Sequence, residues 1–429
     1  METSDTQTAP TLPPETPAHA RTPLSLAGIL WYSLANLGYG AFYAFNNASL
    51  SLWLQNYTHN AILLRLMAGT HSFEGTIIQP LVGLASDRSR SRWGKRRPFM
   101  LLFIPISALF LLLTPVASHL PPPLRLGAII ACIFLFTMTF NVAADPYQAL
   151  LADITPLAHR GRVTSFWFFM GALGQVLLLL LPIPLGLKFS MVALLMVGTT
   201  FVTCVLTREP PAESVSTPVR SRRHELVESL RGVRTLRQAG IYLVLFFFFG
   251  AGVEAVVPSL TIFIKTVTKC SDHQAETMFL ILMVATSLGT LPCGWIADRM
   301  GFRRLLMISM VLIAVASLNG LWVTTLPEIG VVLGLAGLGL AAQNASAYPL
   351  LTSLVPAEEV GFYTGLQTTA ASISGPASLF LTGVLINHIG YRVIFAVCGG
   401  CLLLSLVAAT VLNERLAPKE IAARRQEKA

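Results

Sequence analysis

Twelve apolar runs constrain this chain more than any other feature. They fall at 24–45, 61–84, 99–118, 126–151, 163–185 and 189–206, and then at 241–264, 277–296, 305–323, 329–351, 363–386 and 391–412. Each is near the roughly 20 residues that cross about 30 Å of hydrocarbon as a helix. Backbone groups in lipid must satisfy each other, so runs of this kind become helices. Hydrophobic residues make up 54% of the 429 and charged residues only 12%, about half the charge of a soluble domain. That balance excludes a disordered chain, a collagen and an ordinary soluble enzyme.

The loop charges give the orientation. With the termini and the even-numbered turns on one side, that side holds 24 of the 30 Lys and Arg residues. The other side keeps six: Arg65, Arg125, Lys188, Lys265, Lys269 and Arg392. Cations stay cytoplasmic, so both termini are expected inside. The net charge of +9 is thereby a matter of topology, and no nucleic-acid partner is expected.

The chain divides into a Thr/Pro-rich cytoplasmic tail (1–23), a first six-helix bundle (24–207), a linker (208–238), a second bundle (239–413) and a second tail (414–429). Residues 1–22 lack the basic start and apolar core of a signal peptide. In the linker, Leu226, Leu230 and Val233 share one face among Arg222, Arg223, Arg231 and Arg234, the pattern of a helix lying on an anionic leaflet. Cys398-Gly-Gly-Cys401 has the spacing of a redox motif but sits in an apolar run, where small residues serve helix packing.

The two halves repeat. Gly83-x-x-x-Asp87-Arg88 recurs as Gly294-x-x-x-Asp298-Arg299, Pro156-x4-Gly161 as Pro356-x4-Gly361, and Gly38-x-Gly40 as Gly250-x-Gly252, in the same order. Gly294-Trp-Ile-Ala-Asp298-Arg299-Met-Gly301-Phe-Arg303-Arg304 resembles the signature loop of the major facilitator superfamily. The longer first-half version, Asp87 to Pro98, is similar to that of the glycoside-pentoside-hexuronide:cation symporters and the sucrose transporters with their animal relatives. Gln79-Pro80-Leu-Val-Gly83 and the stretch Asp145-Pro146-Tyr147-Gln148 to Asp153 look most like the sucrose-transporter branch.

The resemblance implies an all-α integral membrane protein of twelve helices in two pseudo-symmetric bundles, rocking about a midplane site. It also implies two cytoplasmic latches. One would comprise Gly83, Asp87, Arg88, Gly94, Arg96 and Arg97, the other Gly294, Asp298, Arg299, Gly301 and Arg303.

Acids inside a span are costly and mark function by default. Glu74 lies about twelve residues from the inner end of its span, roughly 18 Å deep, with His71 one turn before it. Asp145 and Glu254 are the other intramembrane acids of interest. Together with His71 these three are the proton-coupling candidates, Glu74 first, because a carboxyl in a dry cavity holds its proton toward neutral pH. Polar stripes supply the substrate-cavity candidates: Tyr39, Tyr43 and Asn46 in the first span, Asn141 and Gln148 in the fourth, Asn344 and Tyr348 in the tenth. Trp31, Tyr39, Trp53 and Trp167 offer flat surfaces for a sugar ring, with Trp31 and Trp53 also read as interface anchors. Asn36, Gln175 and Gln367 read as helix–helix glue.

Two departures from the branch stand out. Gln148 replaces an arginine that supports proton-coupled uptake in plant sucrose transporters. Gly75 and Gln79 replace paired aspartates of the melibiose-carrier branch. The expected function is proton-coupled symport of a sugar or glycoside across the plasma membrane by a monomer, with no metal and no cofactor beyond the proton gradient. The alternatives are a proton-linked exporter of drugs or metabolites, an uncoupled facilitator, or a non-transporting receptor. No catalytic elbow, zinc helix or phosphate loop is present in the sequence, so an enzyme is not expected.

Overall fold

The computed structural model describes residues 24–69, 82, 85, 86, 89, 91, 93–155, 160–207, 209, 236–356, 360–414 and 416–428. Among the described residues, ten helices are long and apolar enough to cross a membrane, and they correspond to the third to twelfth expected spans. The first span is one continuous run of three pieces: a helix over Leu26–Ala44, a π-helical turn over Phe45–Ser49, and a helix over Leu50–Leu54. It extends nine residues beyond the apolar run, because Asn46, Ser49 and Ser51 are buried rather than looped out. Of the second span, the helix Ala61–Ala68, capped by the Asn60 side chain, is the principal described part.

The remaining six-helix topology follows from which helices pack together. In the first half, the first span packs on the fifth (Arg160–Leu180) and sixth (Leu185–Leu206), and the third (Arg97–Ala117) on the fourth (Pro122–Ile154) and sixth. The second half repeats the pattern. Its first helix (Arg237–Val256, continued by a 3-10 turn at Val257–Ser259 and a helix Leu260–Thr268) packs on the eleventh (Val360–Ile389) and twelfth (Val393–Val411) spans. The ninth span (Phe302–Gly320) packs on the tenth (Leu326–Leu354) and twelfth. Across the halves, the second span meets the eleventh, and the fifth meets the eighth (Asp272–Met300).

Close backbone approach sets these pairings. A Cβ on Gly40 would lie 2.0 Å from the Gly171 carbonyl oxygen, and one on Gly38 would meet Thr199 at 2.5 Å. Gly250 faces Ser374 of the eleventh span and Gly252 faces the Cys398 carbonyl of the twelfth. The two Gly-x-Gly pairs therefore do not superpose in sequence order. Gly40 corresponds to Gly250, as Tyr32 does to Tyr242: each tyrosine donates to the carbonyl of equivalent residues, Tyr147 at 3.1 Å and Ala347 at 2.9 Å. Cys398 and Cys401 flank the groove that receives Gly252 and are free thiols, in a packing role.

Among the described residues the core is continuous between the halves at one end only. One cluster of buried side chains joins Phe45, Leu52, Trp53 and Phe189 to Phe263, Phe279, Leu282 and Phe395. A separate cluster, including Leu236, Tyr242, Leu306, Leu350, Tyr363 and Leu412, fills the other end of the second half. That second end carries the basic loops and is called the basic end below.

Candidate functional site

The polar candidates separate into groups that pack and groups that face open space. Tyr39 is buried and stands edge-on to Phe140 and Tyr147. It belongs to the aromatic core, not to a cavity wall. Asn46 is fully buried and donates from Nδ2 to the Ala68 carbonyl at 2.7 Å, tying the first span to the second. Asn141 is buried too. Asn36 donates to the Trp167 carbonyl at 2.7 Å, the expected glue. Trp53 packs on Tyr57 and Phe189 and is neither an interface anchor nor a sugar platform, whereas Trp31 is exposed.

The open group is smaller. Gln148, Asn344 and Tyr348 are exposed and Asp145 and Tyr43 half-buried. Asp145 lies close to Tyr43. The two amides and the exposed phenol at membrane depth face a water-accessible space, since lipid offers them no partners. Gln148 sits in the fourth span and Asn344 and Tyr348 in the tenth, toward the basic end, where the core of the described residues is split. His71 and Glu74 lie outside the described residues, as do Gly75, Gln79, Gly83, Asp87 and Arg88, and the interfacial helix expected in the linker.

The opposite end is closed by polar crossings that the sequence reading did not find. The Glu276 carboxylate accepts from Ser49 Oγ and pairs with Lys188 Nζ at 2.5 Å, and both charged side chains are withdrawn from solvent. Arg65 is fully buried and donates to Ser259 Oγ at 2.7 Å and to the carbonyls of Glu254, Ala255 and Leu379 at 3.0, 2.9 and 3.3 Å. Thr261 donates to the Ala48 carbonyl, and the Ala61 N–H donates to Asn387. Glu254, a proton-coupling candidate, thus lies in this closed end; its Oε2 is enclosed and makes no hydrogen bond.

A signal for these groups existed. Arg65 stood inside an apolar run, where an unpartnered cation is costly, yet it counted only as a loop charge. Glu276 fell one residue outside the run that begins at 277. Its helix starts at Asp272, behind a capping box of Ser271 and Gln274, which carries the acid into the second turn.

At the basic end the loop motifs are organised within each half. Gly94 and Gly301 take positive φ, 98° and 89°, where a side chain would be strained. After Gly94, the N–H groups of Lys95, Arg96 and Arg97 converge on the Glu209 carboxylate. After Gly301, the Arg303 N–H donates to Glu414 at 3.2 Å. In both cases an acid at the end of the half's last helix caps the start of its third, where unpaired N–H groups and the helix dipole favour a negative charge. Arg96 pairs with Asp153 at 3.0 Å and donates to Ser86; Arg303 donates to the carbonyls of Ala409 and Thr410. Asp298 and Arg299 are exposed, and a Cβ at Gly294 would meet open space. Among the described residues no group of three or more His, Cys, Asp or Glu could hold a metal.

The family model described as MFS/sugar transport protein matches residues 31–396. The chain belongs to that family. Membership makes it a multi-pass transport protein and not an enzyme. Human solute carrier family 45 member 3 is 34% identical over 127 residues, 28% of this chain and 23% of the relative; the matched stretch thus spans under a quarter of that protein. The isoprimeverose transporter of Lactiplantibacillus pentosus is 22% identical over 73% of this chain and 69% of its own. These agree with the branch resemblance read in the first half of the sequence. Among solved structures, a D-xylose-proton symporter superposes with a TM-score of 0.68 at 17% identity, covering 90% of this chain and 96% of the other. The nucleoside transporter NupG superposes with 0.68 at 13% identity, over 90% and 99%. At such identities the likeness is one of fold, and the fold is that of the major facilitator superfamily.

Proposed function

We propose that this protein is a secondary transporter that carries a small polar solute, a sugar or glycoside, across the plasma membrane by alternating access, in symport with protons. The carrying observation is one-ended closure. Arg65, Lys188 and Glu276 seal the halves together at one end, while Gln148, Asn344 and Tyr348 face open space toward the other, with Asp145 half-buried near them. With the basic end cytoplasmic, this is the inward-open member of an alternating pair. The exposed amides and phenol suit hydroxyl-rich solutes rather than greasy ones. The sugar-named relatives, and a proton symporter among the structural neighbours, support the same reading. Asp145, near Tyr43 in the inner half of the fourth span, is the described residue best placed to load and release the proton.

Proteoliposomes with an imposed proton gradient test the proposal against a panel of pentoses, hexoses and disaccharides. Wild type accumulates one of them uphill. Asp145→Asn loses uphill accumulation yet keeps sugar-dependent thermal stabilisation, which reports binding by mass action. Equal accumulation by both proteins removes Asp145 from coupling. Gln148, in the place of the branch arginine, favours one second reading, an uncoupled facilitator; it predicts exchange of labelled sugar with no response to the gradient.

A further inference from the structure

Arg65 and Glu276 occupy the same place in the two halves. They are separated by 211 residues, the spacing that also relates Gly83 to Gly294 in the same pair of spans. Ser49 and Ser259 are likewise equivalent, 210 apart, the spacing of Tyr32 to Tyr242 and Gly40 to Gly250. The contacts respect this symmetry. Arg65, in the second span, crosses to Ser259 in the seventh; Glu276, in the eighth, crosses to Ser49 in the first. Each serine ends an interruption in its helix, a 3-10 turn at Val257–Ser259 and a π turn at Phe45–Ser49.

The interruptions make the crossings possible. Pro258 has no N–H, so the Glu254 carbonyl four residues earlier loses its helical donor. A carbonyl so exposed inside a membrane protein needs another donor, and Arg65 Nη2 supplies it at 3.0 Å. The same nitrogen serves the Ala255 carbonyl at 2.9 Å. At the related position the acid needs a counter-charge, and Lys188 from the sixth span provides it. A buried ion pair contributes little net stability, yet removing one partner strands the other. Such a pair holds two surfaces in register and still permits them to part into water.

We propose that Arg65 and Glu276, the latter with Lys188, form a pseudo-symmetric bolt that holds the outer end shut and must be drawn for the transporter to open outward. This rests on the alternating-access reading above. The two residues act on the conformational equilibrium; they are gating residues and not solute ligands.

The test is a distance measurement by pulsed electron resonance. Nitroxides are attached through a bioorthogonal amino acid at the exposed Asn56 and His388, in the full chain in lipid nanodiscs. Wild type shows a dominant short and a minor long distance. Glu276→Gln and Lys188→Met each raise the long-to-short ratio at least tenfold, as does Arg65→Met. The Lys188→Glu/Glu276→Lys exchange returns the ratio to within about threefold of wild type, because the pair is rebuilt with its polarity reversed. Ser49→Ala, which keeps every charge, shifts the ratio about threefold and guards against variants that fail to fold. Unchanged ratios in the single variants overturn the bolt alone, as does an exchange variant no more closed than its parents. A single distance in wild type, unmoved by sugars, overturns alternating access and the bolt with it.

Discussion

At the basic end, Glu209 and Glu414 cap helices of their own halves, whereas at the closed end Arg65 and Glu276 reach into the opposite half. Under the proposed alternating access, the first kind of contact moves with its bundle, and the second is the kind that has to part. The partners differ accordingly. The intra-half acids hold part-buried or exposed N–H groups at helix starts, while the crossing charges are buried and rely on a counter-charge, on serines and on backbone carbonyls.

The comparison predicts an ordered series of losses in stability, measured by detergent denaturation of the purified protein. Arg65→Met has the largest effect, about 3–5 kcal/mol, since several buried acceptors lose a charged donor together. Its basic-end counterpart Arg303→Met, which frees the carbonyls of Ala409 and Thr410 near solvent, costs about 1 kcal/mol or less. Similar losses for the two arginines would break the distinction between the ends.

The two halves differ as well. Gly40→Ala drives a Cβ to 2.0 Å from a backbone carbonyl and costs about 3 kcal/mol. Gly250→Ala meets Ser374 Oγ at 2.9 Å, a side chain that rotates away, and costs under about 1 kcal/mol. Equal tolerance at both positions would contradict the tighter packing of the first half. Smallest of all, Glu209→Gln weakens a cap on three N–H groups by about 1 kcal/mol. Glu414→Gln, exposed and on a single N–H, is indistinguishable from wild type.

Much of the architecture was legible in the sequence because lipid imposes a simple code. Apolar runs give helices, loop cations give sidedness, and the paired Asp-Arg and Pro-Gly motifs give the duplication. The site was less legible, because helical spacing places residues on a face without saying what that face meets. Tyr39, Tyr43 and Asn46 share a stripe, but Tyr39 entered the aromatic core with Phe140 and Asn46 bound a backbone carbonyl. The register of the glycine repeat was off by two for the same reason. Gly38 and Gly40 face different neighbours, and only the packing shows which one Gly250 matches.

By itself the sequence determined that this chain is built of membrane-spanning helices, that its motifs recur in two halves and which transport family it resembles. All of these follow from local composition and spacing. Tertiary structure alone decided that Lys188 pairs with Glu276, and that Arg65 reaches Ser259 and Leu379, across a dry seam between the halves. The reason is that a charge inside a membrane protein takes its meaning from its partner, and partners 88 to 314 residues away leave no periodic trace in the chain.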